Sequence, residues 1–173
     1  MIQFSKNYIV LSFFHLMTFT LSAGNLIISD RGAGSIKIAN FDGGSSEVLI
    51  PSAGTNVRGI ATDLSMGLIF YADNGSDIIY KTNIDGSERT AIIQSGLGFP
   101  ADITIDRFSK KIYWCDRNND RIECSDYNGK NRRIVINTND PYYLDLDLVN
   151  NCLLYTSDAA DDMQCVDLGG RRI

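Results

Sequence analysis

Apolar positions along this chain fall into short runs that recur at a fixed spacing. Leu26-Ile27-Ile28-Ser29-Asp30, Ile69-Phe70-Tyr71-Ala72-Asp73 and Ile112-Tyr113-Trp114-Cys115-Asp116 each close on an aspartate, and a shift of 43 residues superimposes them. A fourth run, Leu154-Tyr155-Thr156-Ser157, follows at a shift of 41. Twelve residues beyond each aspartate comes a turn signal, Asp42-Gly43, Asp85-Gly86 and Asn128-Gly129, each led by an apolar residue: Phe41, Ile84 and Tyr127. Ile36, Ile79 and Ile122 coincide between these markers, and Asp63 and Asp106 each precede the next closing aspartate by ten residues. The chain is therefore an array of equivalent units.

A period of roughly 40–50 residues belongs to propeller blades or to helical repeats of the armadillo type. The internal pattern is strand-like: the runs are short, rich in β-branched and aromatic residues, and separated by Asn, Asp and Gly. Beyond the amino-terminal segment no stretch sustains a helical period. The best copy predicts strands near Ala101 to Asp106, Lys111 to Asp116, Arg121 to Tyr127 and Arg132 to Ile136. Turns fall at Asp106 to Lys110, Arg117 to Asp120 and Asn128 to Asn131, where Asn-Gly supplies a positive φ at little cost. Four antiparallel strands per repeat make a propeller blade.

Tyr113-Trp114-Cys115-Asp116 resembles the Tyr-Trp-Thr-Asp signature of low-density lipoprotein receptor class B repeats. Ile79 to Gly86 resembles that family's Ile-x-Arg-x-x-Leu-Asp-Gly tract, and Pro100 to Asp106 its proline-led landmark. The Gly-His and Trp-Asp dipeptides of WD40 blades are absent. The resemblance covers residues 26–173 and departs from the pattern at Ile28, Val57 and Ser157. It implies an all-β, six-bladed propeller fold with Tyr71, Asp73, Tyr113, Trp114, Asp116 and Tyr155 as structural repeat positions, the aspartates tying neighbouring blades. It also implies an extracellular module that binds a protein ligand or packs against an EGF-like neighbour.

The repeats, near 26–67, 68–111, 112–152 and 153–173, amount to about three and a half blades, the first lacking its leading strand and the last its outermost one. The expectation is half a ring, a truncated product or gene fragment whose open edges self-associate in the alternative reading. Residues 1–24 read as a secretory signal: Lys6, an apolar run from Ile9 to Met17, and small residues Ser22, Ala23 and Gly24. An uncleaved membrane anchor is the other reading, and a run interrupted by His15 is short for it. The formal charge of -5 gives no support to nucleic-acid binding. Arg132, Arg133, Arg171 and Arg172 read as solvated pairs.

All four cysteines lie after residue 114, with no Cys-x-x-Cys, and the single histidine is His15, so zinc is not expected. Cys115 and Cys124 flank the Asn119-Asp120 turn symmetrically and form the candidate disulfide, while Cys152 has no evident partner in its own hairpin. Asn74-Gly75-Ser76 is an N-glycosylation sequon in an expected exposed loop. Asp158, Asp161 and Asp162 read as a solvated acidic turn, since they lack the spacing of a calcium loop. Without histidine beyond residue 24, or a Gly-x-Ser-x-Gly elbow, catalysis is not expected and no cofactor is assigned. A fragment of a secreted calcium-dependent propeller lactonase is the alternative function. Inner-strand residues approach the channel mouth of a propeller, which makes Tyr142, Tyr143 and Asp145 the candidate partner surface.

Overall fold

The computed structural model describes residues 10–13, 17–22, 25–40, 45–157 and 160–168. Their strands form four antiparallel sheets in which spatial order follows chain order. The first blade holds β1 (Val10–Phe13), β2 (Met17–Ser22), β3 (Asn25–Asp30), β4 (Ser35–Asn40) and β5 (Ser46–Ile50). Blade 2 holds β6 (Val57–Asp63), β7 (Leu68–Asp73), β8 (Ile78–Asn83) and β9 (Thr90–Ile93). Blade 3 holds β10 (Pro100–Asp106), β11 (Lys111–Asp116), β12 (Arg121–Asp126) and β13 (Arg133–Asn137). Blade 4 holds β14 (Pro141–Asp147), β15 (Cys152–Ser157) and β16 (Ala160–Asp167). Strands β6, β10 and β14 lie side by side as the innermost strands.

The blades superimpose residue by residue. Tyr71 stands opposite Ile60 and Tyr80, Trp114 opposite Ile103 and Glu123, and Tyr155 opposite Leu144 and Gln164. Because strand side chains alternate between faces, each second strand serves two cores. Ile69 and Tyr71 pack towards blade 1 with Ile27, Ile36 and Ile50. Phe70 and Ala72 point the other way and meet Ile112 and Trp114 of blade 3. Tyr113 and Cys115 then join Leu144, Leu153 and Tyr155 of blade 4. Burial on both faces explains why these runs read as continuous apolar stretches rather than as alternating ones.

The closing aspartates anchor the connectors between blades. Asp73 accepts the N–H groups of Thr55 (3.3 Å) and Asn56 (2.8 Å), on the connector arriving from blade 1. Asp116 does the same for Gly98 (2.9 Å) and Phe99 (3.1 Å) on the next connector. Ser157 stands at this position in blade 4, where the connector N–H of Asp140 is instead taken by Asp120 of blade 3 at 2.9 Å. A second carboxylate set, Asp63, Asp106 and Asp147, caps the turn after each inner strand through two backbone N–H groups apiece.

The glycine of the turn marker has two functions. Gly86 and Gly129 adopt φ of 81° and 78°, as a tight turn requires. Each turn also lies against the outer strand of the preceding blade: a Cβ on Gly129 would stand 2.0 Å from the Ile92 carbonyl oxygen, and one on Gly86 2.8 Å from that of Leu49. Tyr127, just before Gly129, donates its hydroxyl to the buried Asp63 carboxylate of blade 2 at 3.0 Å. Burial lifts the Tyr127 phenol well above its usual range, and the Asp63 carboxylate adds to the lift.

Several expectations are corrected. The first sheet does have a leading strand: β2 pairs with β3, with Phe19 opposite Ile28, the place that Ile60 holds opposite Tyr71. Met17 to Ser22 alternates apolar and polar residues, the period of a strand, which reading residues 1–24 as a leader outside the fold passed over. Removal of that leader would leave β3 without its inner neighbour.

The Cys115–Cys124 bridge does not form. Residues 117–119 make a 3-10 turn closed by Asp120 at φ 51°, which centres the hairpin one residue earlier than expected. Cys115 consequently faces Ile122, and Cys124 faces Tyr113. Both thiols are free and buried, and burial raises their pKa values. Cys152 is instead bonded to Cys165 across its own hairpin, with Cα atoms 5.8 Å apart.

Arg132 is no solvated ornament. It donates to the Ser95 (2.5 Å) and Gly96 (2.8 Å) carbonyls of the connector and to the buried Glu123. Arg89, 43 residues earlier, donates likewise to the Ser52 carbonyl. Asp161 and Asp162 belong to strand β16 rather than to a turn. Asp158, Arg171, Arg172 and the Phe41-Asp42-Gly43 marker lie outside the described residues.

Candidate functional site

Each inner strand begins at one end of the arc, just after the connector that the signature aspartate holds. The side chains there form one cluster across blades 2, 3 and 4. Arg58, second residue of β6, donates from Nη1 to the Tyr142 hydroxyl oxygen at 2.6 Å, and its guanidinium lies 4.9 Å from the Phe99 ring centre. Arg117 stands 5.0 Å from the Tyr142 ring and makes a two-point ion pair with Asp140. Tyr142 is thus bracketed by two guanidinium groups, and Tyr143 meets it edge-on at 4.6 Å.

Of the three residues expected here, Tyr142 and Tyr143 enter this cluster. Asp145 stands exposed two residues along the strand, its carboxylate accepting the Leu146 N–H at 2.8 Å. Arg58, Phe99 and Arg117 were not anticipated, although a positional signal exists. Arg58 and Tyr142 occupy the same repeat position, directly after Val57 and Pro141, and Arg117 follows the signature aspartate as Asn74 does in blade 2. A comparison of what varies between copies at those positions would have singled them out.

Asp102 links two inner strands within this region. One carboxylate oxygen accepts the N–H of Ile103 at 2.9 Å, and the other accepts that of Leu144 in blade 4 at 3.2 Å. Burial pushes its pKa up to about 7, the two N–H groups opposing the shift and Asp145 adding to it. A folded-state pKa above the unfolded value means the folded chain holds the proton more tightly. The stabilisation from this protonation is present below pH ~4 and is lost as pH rises through ~7. Asp102→Asn keeps an acceptor and removes the charge, so its stability relative to the parent is expected to improve between pH 4 and pH 8. Three pKa units set a ceiling of about 4 kcal/mol, and the residual water contact of Asp102 brings the expectation to roughly 2 kcal/mol. Urea midpoints of both chains across this range provide the check.

The sequon asparagine is placed differently from expectation. Asn74 is 8% exposed, with both polar atoms of its amide buried, because its N–H bonds to the Asn56 carbonyl and folds the loop onto the connector. The folded blade does not offer Nδ2 to an oligosaccharide. Among the described residues, no three His, Cys, Asp or Glu side chains gather to hold a metal ion, and no helix is long and apolar enough to cross a membrane.

The arrangement suits recognition. A guanidinium over an aromatic ring is held by the ring quadrupole, and Tyr and Arg at one rim are the side chains that most often dominate binding energy at interfaces.

No family model matches the sequence, and no curated protein matches it. Solved structures do. The structure of a nidogen/laminin complex matches 84% of this chain at 27% identity with a TM-score of 0.77, and the chain spans 56% of that protein's length. A TolB protein of Agrobacterium tumefaciens matches 95% of the chain and is covered over 75% of its own, at 14% identity and a TM-score of 0.71. A gluconolactonase of Xanthomonas campestris matches 90%, is covered over 57%, and shows 14% identity with a TM-score of 0.67. At 14% identity the last two speak for the fold alone. With the four stacked sheets they establish an incomplete β-propeller.

Proposed function

We propose that this chain is an extracellular protein-binding module of the low-density lipoprotein receptor class B type, which engages its partner at the rim around Tyr142 and performs no catalysis. The observation that carries the reading is the convergence of Arg58, Phe99, Arg117, Tyr142 and Tyr143 from three blades. The cluster's long side chains are already held by one another, so a partner that meets them costs little further rotamer freedom. Resemblance to a propeller solved in a nidogen/laminin complex supports a protein rather than a small molecule as the partner. The Cys152–Cys165 bond supports an oxidising compartment, where such bonds persist.

The test uses immobilised laminin as the first probe and surface plasmon resonance as the readout. Tyr142→Ala and Arg58→Ala are each expected to weaken binding by roughly 10- to 100-fold, with circular dichroism unchanged. A parent chain that fails to bind, or variants that bind equally well, would overturn the reading. Calcium-dependent lactone hydrolysis by the parent chain would favour the hydrolase alternative instead.

A further inference from the structure

The sequence holds two Asn-Gly pairs, Asn74-Gly75 and Asn128-Gly129, and the fold treats them differently. An asparagine followed by glycine is chemically labile, because a residue without Cβ lets its own backbone nitrogen reach the preceding side-chain carbonyl carbon. At Asn74 that approach is closed. Asn74 is 8% exposed, no donor reaches its amide oxygen, and the Gly75 N–H donates to the buried Asp73 carboxylate at 3.2 Å, an anion that opposes loss of the proton. At Asn128 it is open. Asn128 is exposed, and its Oδ1 accepts the Lys130 N–H at 3.1 Å, which draws electrons from the carbonyl carbon. The Gly129 N–H donates to the Asp126 carbonyl at 2.9 Å, a neutral acceptor in place of an anion.

The surroundings of this turn distinguish the two products that loss of the amide yields. The equivalent place 43 residues earlier is Asp85-Gly86, where the Asp85 carboxylate accepts the Ser87 N–H at 2.9 Å as Asn128 accepts that of Lys130. An aspartate therefore fits the turn. An isoaspartate does not, because it adds a backbone carbon ahead of Gly129. That glycine lies against the outer strand of blade 2, where even a Cβ would stand 2.0 Å from the Ile92 carbonyl oxygen. On its other side Tyr127 is fixed twice, its N–H to the Lys110 carbonyl at 3.2 Å and its hydroxyl to Asp63 of blade 2 at 3.0 Å. A longer backbone between Tyr127 and Gly129 takes one of these contacts off its partner.

We propose that Asn128 is a site of spontaneous deamidation, whose aspartyl product keeps the seam between blades 2 and 3 and whose isoaspartyl product loosens it. The Gly129 nitrogen loses its proton and bonds to Asn128 Cγ, the Cγ–Nδ2 bond breaks, and the amide nitrogen takes up a proton and leaves as ammonia. Water then opens the cyclic imide. Opening at Cγ restores the ordinary backbone with an aspartate, and opening at the Asn128 main-chain carbonyl gives the isoaspartate. No oxidant or cofactor takes part, and either product adds a negative charge to the chain.

The experiment is peptide mapping by mass spectrometry of the full chain aged in mildly alkaline buffer, both folded and in urea. In the folded chain the Asn128 peptide is expected to gain the mass of deamidation about tenfold faster than the Asn74 peptide, and in urea the two rates converge. Asn128→Gln is expected to abolish the gain at that position. In pulse proteolysis just below the parent's urea midpoint, isoaspartate detected with an isoaspartyl methyltransferase is expected to be several-fold richer in the cleaved fraction than in the intact one. Asn128→Asp is expected to keep the parent's midpoint. Equal rates at the two asparagines of the folded chain, a faster rate at Asn74, or no conversion at Asn128 overturns the proposal. So does isoaspartate spread evenly between the two fractions, or a lower midpoint for Asn128→Asp.

Discussion

Replacing Trp114 by alanine is expected to cost about 3–5 kcal/mol, read as a fall in the urea midpoint. The indole is fully buried between blades 2 and 3, in one cluster with Phe70, Ala72, Ile79 and Ile93 of blade 2. Its Nε1 has no hydrogen-bond partner, so the loss is one of packing and apolar burial. The Arg132 guanidinium, 5.5 Å from the ring centre, loses its aromatic support as well. Domains are stable by only about 5–15 kcal/mol, so this one truncation removes a large share of the total. A cost below about 1 kcal/mol would mean that the blades do not meet at Trp114.

Arg132→Ala is expected to have the second largest effect, roughly 2–4 kcal/mol. Glu123 is buried, and Arg132 reaches both of its oxygens at 2.7 Å while Arg121 holds one at 2.9 Å. Removing Arg132 leaves the carboxylate with one cation and takes a donor from the Ser95 carbonyl, while the Gly96 carbonyl keeps Arg121 Nη2 at 2.9 Å. Arg132→Lys is expected to recover less than half, because an ammonium does not reproduce the planar fork that reaches Glu123 and both carbonyls. Glu123→Gln together with Arg132→Met is expected to recover most of the loss, since no uncompensated buried charge remains. Chemical denaturation of the four chains separates these cases.

The features legible in the sequence are those that each blade repeats within itself. Period, four-strand pattern and turn markers come from local propensity, and Tyr71 and Trp114 take matching places because the same strand is sandwiched in each copy. Features that cross blades were harder to see. The carbonyl contacts of Arg89 and Arg132 span 37 residues, which no local pattern displays, so Arg132 looks like surface decoration in the sequence and Arg89 carries no signal there. The Cys115–Cys124 error had a smaller cause: a 3-10 turn moved the hairpin centre by one residue and put the two thiols out of register. At the candidate site, Tyr142 and Tyr143 were legible as inner-strand aromatics. Arg58 and Arg117 were not, because each becomes part of the rim only through contact with another blade.

Successive stretches of the chain form equivalent sheets stacked around one axis. Nuclear Overhauser contacts from the Trp114 indole test it most directly. The structure predicts contacts with the methyl groups of Ala72 and Ile79 in blade 2 and none with Leu144 or Leu153 in blade 4. Contacts to the blade 4 methyls, or none beyond blade 3 itself, would contradict the stacked arc.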